Sequence, residues 1–146
     1  MPTLAVNKRA KFDYEILDKY EAGIVLTGQE VKSVRAGRMS LTGSYVTIKR
    51  GTASLIGANI PKYPQAGPIP GYEADRSRTL LLHTRELRKL TEKLDQKGLT
   101  LVPISVYTKG PMIKIEFGVG RGKKQFEKRE TIKRRDVDRE IRRSMK

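Results

Sequence analysis

Apolar and polar residues alternate along much of the first 120 positions with a period of two, the spacing of strands that bury one face. From Phe12 the apolar positions are Phe12, Tyr14 and Ile16, then Tyr20, Ala22, Ile24 and Leu26. They predict one long strand, bent near Asp18 where the series is interrupted. Ser44–Arg50 and Thr52–Asn59 predict two short strands around the hairpin signal Arg50-Gly51. Thr79–His83 is a compact apolar run, too short for a helix. Leu99–Thr108 and Met112–Val119, joined by Lys109-Gly110-Pro111, form the clearest hairpin. In its second arm Ile113, Ile115, Phe117 and Val119 alternate with Lys114, Glu116 and Gly118, as in a half-buried antiparallel strand.

Two segments break the period. Thr27-Gly28-Gln29-Glu30 has the spacing of a capping box, in which the Thr hydroxyl and the Glu carboxylate satisfy each other's backbone donors. It predicts a short helix ending at Gly37, with Val31 and Val34 facing inward and Lys32 and Arg35 projecting together. Thr84 is placed to cap a second helix with an apolar stripe of Leu87, Leu90 and Leu94 and a stop at Gly98. Between Ile60 and Arg78, four of the seven prolines and two glycines predict a long irregular loop. There is no internal repeat. Six strands with two or three peripheral helices favour a mainly β fold, an OB-like closed antiparallel barrel, because closure removes exposed strand edges.

The pattern stops after Gly122. Val137, Ile141 and Met145 make a stripe one residue wide, while Arg135, Arg139 and Arg143 repeat at i, i+4, i+8 and repel on an isolated helix. Asp138 with Arg142 and Glu130 with Arg134 offset part of this. The chain therefore divides into a barrel, residues 1–122, and a basic tail, residues 123–146. The tail is expected to be disordered when free and helical only where phosphates neutralise its arginines.

Charge sharpens the picture. Residues 121–146 carry twelve Lys and Arg against five Asp and Glu, and the whole 146-residue chain has a net charge of +15. A basic domain with a more basic tail suits a polyanion, nucleic acid first. There is no cysteine, which excludes disulfides and thiolate metal sites. No stretch has signal-peptide character or reaches the ~20 apolar residues of a membrane span, so a cytoplasmic protein with no membrane partner is expected.

Enzymatic signals are poor, and no catalytic residue, metal site or cofactor is assigned. His83 is the single histidine and ends an apolar run, which suits packing or capping better than catalysis. Gly118-Val119-Gly120-Arg121-Gly122-Lys123-Lys124 fails as a P-loop, having Phe117 where a glycine is needed and Lys124 where Ser or Thr is needed. Carboxylates are scattered and outnumbered by cations, which argues against a metal-dependent nuclease.

Binding signals are stronger. Glu30 has two readings: a purely structural capping role, or an acceptor for a base or ribose hydroxyl if its second oxygen points outward. Arg76 and Arg78 either grip an RNA backbone or simply solvate their loop. Lys123, Lys124, Lys128 and Arg129 are too concentrated for a merely solvated face and favour phosphate contacts. Phe126 among them either stacks on a base or folds back on the barrel.

Asn7-Lys8-Arg9-Ala10, Asp13-Tyr14, Glu21-Ala22-Gly23-Ile24, Gly28-Gln29-Glu30-Val31-Lys32-Ser33-Val34-Arg35 with Gly37, Leu80-Leu81-Leu82-His83, and Gly122-Lys123-Lys124 followed by Lys128-Arg129 occur in this order. In this respect the chain resembles the SmpB family of SsrA-binding proteins over nearly its full length. The resemblance implies an OB-like barrel that binds the tRNA-like domain of transfer-messenger RNA (tmRNA), as a monomer in complex with RNA, and brings it to stalled ribosomes for trans-translation. It implicates Asn7, Glu30, Lys32 and Arg35, with Lys123 and Lys124 at the barrel's end. It also implies that Gln125 through Lys146 enters the decoding centre and the empty mRNA channel of the small-subunit rRNA and becomes helical there. Lys133, Arg134, Arg135, Arg139, Arg142 and Arg143 are the expected phosphate contacts of that helix, and Ile141 and Met145 its apolar anchors.

Three departures from the family pattern stand out. Phe126 occupies a position usually Tyr or His. Thr79 replaces a usual Lys and Ala74 a usual Pro, which puts the path of the Arg76–Arg78 loop in question. The tail has no Trp. Two other functions fit the composition less well. A ribosomal or assembly protein would use the tail as rRNA filler and show no preference for a tRNA-like RNA. A small nucleic-acid-processing enzyme would need a nucleophile or metal cluster.

Overall fold

Local signals set most of the elements in the computed structural model, which describes residues 2–96 and 98–123. In order they are β1 (Thr3–Val6), α1 (Ala10–Asp13), β2 (Tyr14–Ile24), α2 (Gly28–Arg35), β3 (Tyr45–Lys49), β4 (Thr52–Ile56), β5 (Arg78–Leu81), α3 (Thr84–Leu94), β6 (Leu99–Lys109) and β7 (Met112–Gly122). A 3₁₀ turn at Pro64–Ala66 interrupts the proline-rich loop between β4 and β5.

The strands β6-β3-β4-β5-β2-β7 form an antiparallel ring that β7 closes by pairing back onto β6. The expected barrel of six strands is therefore present. The seventh strand, β1, was not anticipated: four residues are too few to display a period. It pairs with Ser105–Tyr107 of β6, beyond the point where Val46 of β3 meets Leu101. In this way β1 covers the stretch of β6 edge that the ring leaves open.

Both short turns are as their residues require. Arg50 and Gly51 take φ of 51° and 74°, the left-handed pair of a two-residue hairpin, and Lys49 faces Thr52 across it. Gly110 takes φ 60° in the turn between Lys109 and Met112. The long first strand needs one correction. Its start, Phe12 and Asp13, belongs to α1, and β2 runs only from Tyr14. The bend near Asp18 is a bulge, with Ile16 opposite Gly120 and Asp18 opposite Val119.

That bulge has a cause in β7. A Cβ on Gly118 would lie 2.7 Å from Ile16 Cγ2 and 2.8 Å from the Asp18 carbonyl oxygen. On the other side of β7, β6 slips register between Pro103 and Ser105. Both neighbours thus curl across the glycine at one level, and the sheet turns a corner there. Pro103, which has no N–H to give a ladder, is tolerated at that slip.

The core fills the ring. Leu55, Leu101, Val106, Ile115 and Phe117 have at most 1% exposure. Tyr20 stacks on Phe117 with ring centroids 5.9 Å apart. The helix α3 closes one side through Leu90, fully buried, with Leu87 and Leu94 packed alongside. Its N-cap is His83 rather than Thr84, and Glu86 accepts the His83 N–H at 3.4 Å. His83 thus fills a capping position in the backbone while its side chain stays exposed.

Candidate nucleic-acid interface

The helix α2 is built as its sequence predicts. Thr27 Oγ1 accepts the Glu30 N–H at 3.4 Å, and Glu30 Oε1 accepts the Thr27 N–H at 3.0 Å. Gly37 takes φ 77° just past the end. Glu30, Ser33 and Val34 are buried and Val31 packs against the core, while Lys32 and Arg35 are exposed. Three consecutive contacts then stitch the helix to the rest of the fold. Tyr63 N–H donates to Gln29 Oε1 at 2.9 Å, Ser33 Oγ donates to the Pro61 carbonyl at 2.6 Å, and Arg35 Nη2 donates to the Pro111 carbonyl at 3.0 Å.

Glu30 is the hub beneath this face. Arg78 donates from Nε and Nη2 to Glu30 Oε2, at 3.0 and 2.6 Å, and from Nη1 to the carbonyls of Ala58 and Ala74, at 2.9 and 3.0 Å. Arg76 Nη2 donates to Glu30 Oε1 at 2.5 Å. Burial opposes ionisation of Glu30. The Thr27 N–H and the two guanidiniums outweigh it and hold the carboxyl below its usual range.

This corrects two expectations. Glu30 keeps its capping role with neither oxygen pointing outward, and Arg78 neither solvates its loop nor is open to an RNA backbone, since both side chains have 0% exposure. The reason is parity. Arg78 shares the inward face of β5 with Leu80, and Glu30 shares the inward stripe of α2 with Ser33 and Val34. Arg76, whose side chain is 41% exposed, is the outward member of the cluster. At the two loop departures the fold uses backbone that any residue supplies. The Ala74 carbonyl accepts from Ile60 N–H and Arg78, and the Thr79 carbonyl accepts from Val25 N–H.

Asn7 and Lys123 lie elsewhere. Asn7 Nδ2 donates to the Pro103 carbonyl at 2.9 Å, and Asn7 N–H donates to the Ile104 carbonyl at 2.8 Å. Asn7 therefore seals the β6 slip from the β1 side. Lys123 N–H donates to the Asp13 carbonyl at 2.8 Å and its Nζ to the Lys11 carbonyl at 2.7 Å. Arg9 lies over Phe12, 4.5 Å from the ring centroid, and pairs with Asp13 at 3.2 Å. Beside them a cleft of about 310 Å³ is lined by Asn7, Arg9, Tyr14, Tyr45 and Thr100, among others. Sequence reasoning put Tyr14 in the apolar series of its strand and did not single out Tyr45, because the cleft arises only when α1 folds beside the start of β3.

The two groups sit at opposite ends of the barrel. Lys123 follows the end of β7 opposite Tyr14, and α2 follows the end of β2 opposite Lys114. The eleven-residue strand between spans roughly 30–35 Å at about 3.3 Å per residue. Lys124, Phe126, Lys128, Arg129 and the tail residues from Lys133 to Met145 lie outside the described residues. Among the described residues no group of three or more His, Cys, Asp or Glu could hold a metal ion, and no helix is long and apolar enough to cross a membrane.

A closed antiparallel barrel with exposed cations at both ends defines a basic β-barrel protein. Comparisons name the family. The model described as SmpB protein matches residues 4–146, and the chain belongs to the SmpB family. The SsrA-binding protein of Oleidesulfovibrio alaskensis is 50% identical, over 97% of this chain and 91% of its own. That of Ligilactobacillus salivarius is 48% identical, over 98% of this chain and 92% of its own. A solved structure described as tmRNA-SmpB in a journey to the centre of the bacterial ribosome superposes with a TM-score of 0.68. It is 46% identical and the match covers 82% of this chain and 84% of that one.

Proposed function

We propose that this protein is a non-enzymatic adaptor that binds the tRNA-like domain of tmRNA and delivers it to stalled ribosomes for trans-translation. The observation that carries this reading is the SmpB match across residues 4–146, joined to the structural likeness to a tmRNA-bound SmpB. The division of labour follows from the geometry. A folded RNA is gripped through shape, ribose hydroxyls and phosphates rather than through base edges in its deep groove. Lys32, Arg35 and Arg76 offer cations at one end, and Lys123 offers another at the opposite end, beside the lead into the tail. Asn7, Glu30 and Arg78 act through the backbone and side chains they fix. The tail, residues 123–146, carries eleven basic and five acidic residues and is assigned to the small-subunit decoding centre and mRNA channel. A protein with these partners works in the cytoplasm.

Competition binding between tmRNA and an ordinary tRNA tests the reading. The expected result is displacement of labelled tmRNA by tmRNA at far lower concentration than by tRNA. Equal competition, together with co-purification with vacant subunits, would instead identify a ribosomal assembly protein. Turnover of RNA by the purified protein would identify a processing enzyme.

A further inference from the structure

Glu30, Arg78 and Arg76 carry three charges in one hydrogen-bonded cluster, and burial gives each a different job. Arg78 uses Nε and Nη2 on Glu30 Oε2 and Nη1 on two carbonyls, with no exposure. Its charge is cancelled inside the barrel. Arg76 touches Glu30 through Nη2 alone and the Ser77 carbonyl through Nη1 at 3.3 Å. A guanidinium has five N–H donors, so three remain for an outside acceptor. One negative and two positive charges sum to +1, and the uncancelled charge sits on the residue that reaches solvent. A cation held along one edge and open along the other loses less freedom on binding than a free surface arginine.

We propose that this cluster is a single-phosphate site, in which Arg78 neutralises the buried Glu30 so that Glu30 can hold Arg76 in place without cancelling its charge. The ligand is one backbone phosphate of the bound RNA, and to that extent the inference rests on the function proposed above. Glu30 and Arg78 are then positioning residues, and Arg76 the contact. The rival reading makes Arg76 a second counter-ion of Glu30, with nothing left over for RNA.

The salt dependence of RNA affinity separates the two, because each neutralised phosphate contributes about 0.7–0.9 to the log–log slope. Full-length protein is titrated with a tmRNA transcript at several salt concentrations, and folding of each variant is checked by thermal unfolding. Arg76→Ala is expected to lower the steepness by one such increment. Arg78→Met should lower it equally, because Glu30 then claims Arg76, and adding Arg76→Ala to it should change nothing further. Glu30→Gln with Arg78→Met keeps an acceptor for Thr27 and Arg76 but removes both buried charges, and should restore the wild-type slope. An unchanged slope in Arg76→Ala overturns the proposal, as does failure of the double variant to restore it. If Arg78→Met does not fold, Arg76→Ala and the double variant decide the matter alone. The function proposed above fails separately, if wild-type protein binds tRNA as tightly as tmRNA.

Discussion

Arg78 and Glu30 are forty-eight positions apart and form one buried ion pair, Nη2 to Oε2 at 2.6 Å, with no exposure of either side chain. The pair fastens α2 to β5 and, through the carbonyls of Ala58 and Ala74, pins both ends of the proline-rich loop. The exposed cations Lys32, Arg35 and Arg76 all stand on segments that this pair holds. A rigid face of this kind is what a shape-reading RNA contact requires.

Removing one partner of such a pair leaves a buried charge uncompensated. Arg78→Ala is expected to lower unfolding free energy by about 3–5 kcal/mol, whereas Glu30→Gln with Arg78→Met should cost much less. Urea titration of both variants checks this. Equal losses would show that packing, rather than charge pairing, dominates the site.

The same pair makes stability depend on acid. The folded-state pKa of Glu30 lies below its ordinary 4.5. Its contribution is therefore complete above the unfolded value and is lost as pH falls through the folded one. Glu21 has the same sign, with the Tyr107 hydroxyl as first cause and Lys109 as second. Melting temperature should drop below about pH 4.5, less steeply in the Glu30→Gln, Arg78→Met protein. Parallel curves would remove Glu30 from the account.

Gly118 marks the corner of the barrel. Gly118→Ala forces a methyl against the Asp18 backbone and should destabilise by about 1–3 kcal/mol. Gly122, where a Cβ meets nothing within 4 Å, should tolerate alanine. Denaturant midpoints of the two variants distinguish a steric corner from a mere preference for small residues.

The α2 face is open to direct test. Arg35→Ala and Lys32→Ala should each weaken tmRNA binding roughly tenfold, the low end for a hydrogen bond to a charged group. Stability should stay within about 0.5 kcal/mol for Lys32→Ala, as for exposed positions, and fall by about 1 kcal/mol for Arg35→Ala, which also loses its hydrogen bond to the Pro111 carbonyl. Unchanged affinity in both would move the RNA to another face.

A chain ending after Lys123 keeps that residue's contacts to Asp13 and Lys11. It should retain most of its tmRNA affinity and lose peptide tagging on stalled ribosomes. Normal tagging would refute the role proposed for the tail.

Much of the fold was legible beforehand. The capping box of α2, the Arg50-Gly51 hairpin and the β6–β7 hairpin are each specified within a few residues, and each formed. The bend near Asp18 was legible as an interruption, but its cause, Gly118 on a strand a hundred residues away, was not. Glu30 and Arg78 are the instructive case, because both carried the parity of a buried position. The capping role of Glu30 was legible from its spacing to Thr27, but its pairing with Arg78 was not, because a charge stays buried only where an opposite one meets it with all their hydrogen bonds satisfied.

Taken alone, the amino-acid order determined what is local: strand period, helix caps, turn residues, the excess of cations and the motif series that marks the family. Tertiary structure alone decided which charges face solvent and which pair inside, and how β1, α1 and the proline-rich loop seat against the ring. The reason is that these depend on ring closure, which joins segments far apart in the chain and changes the cost of burying a charge.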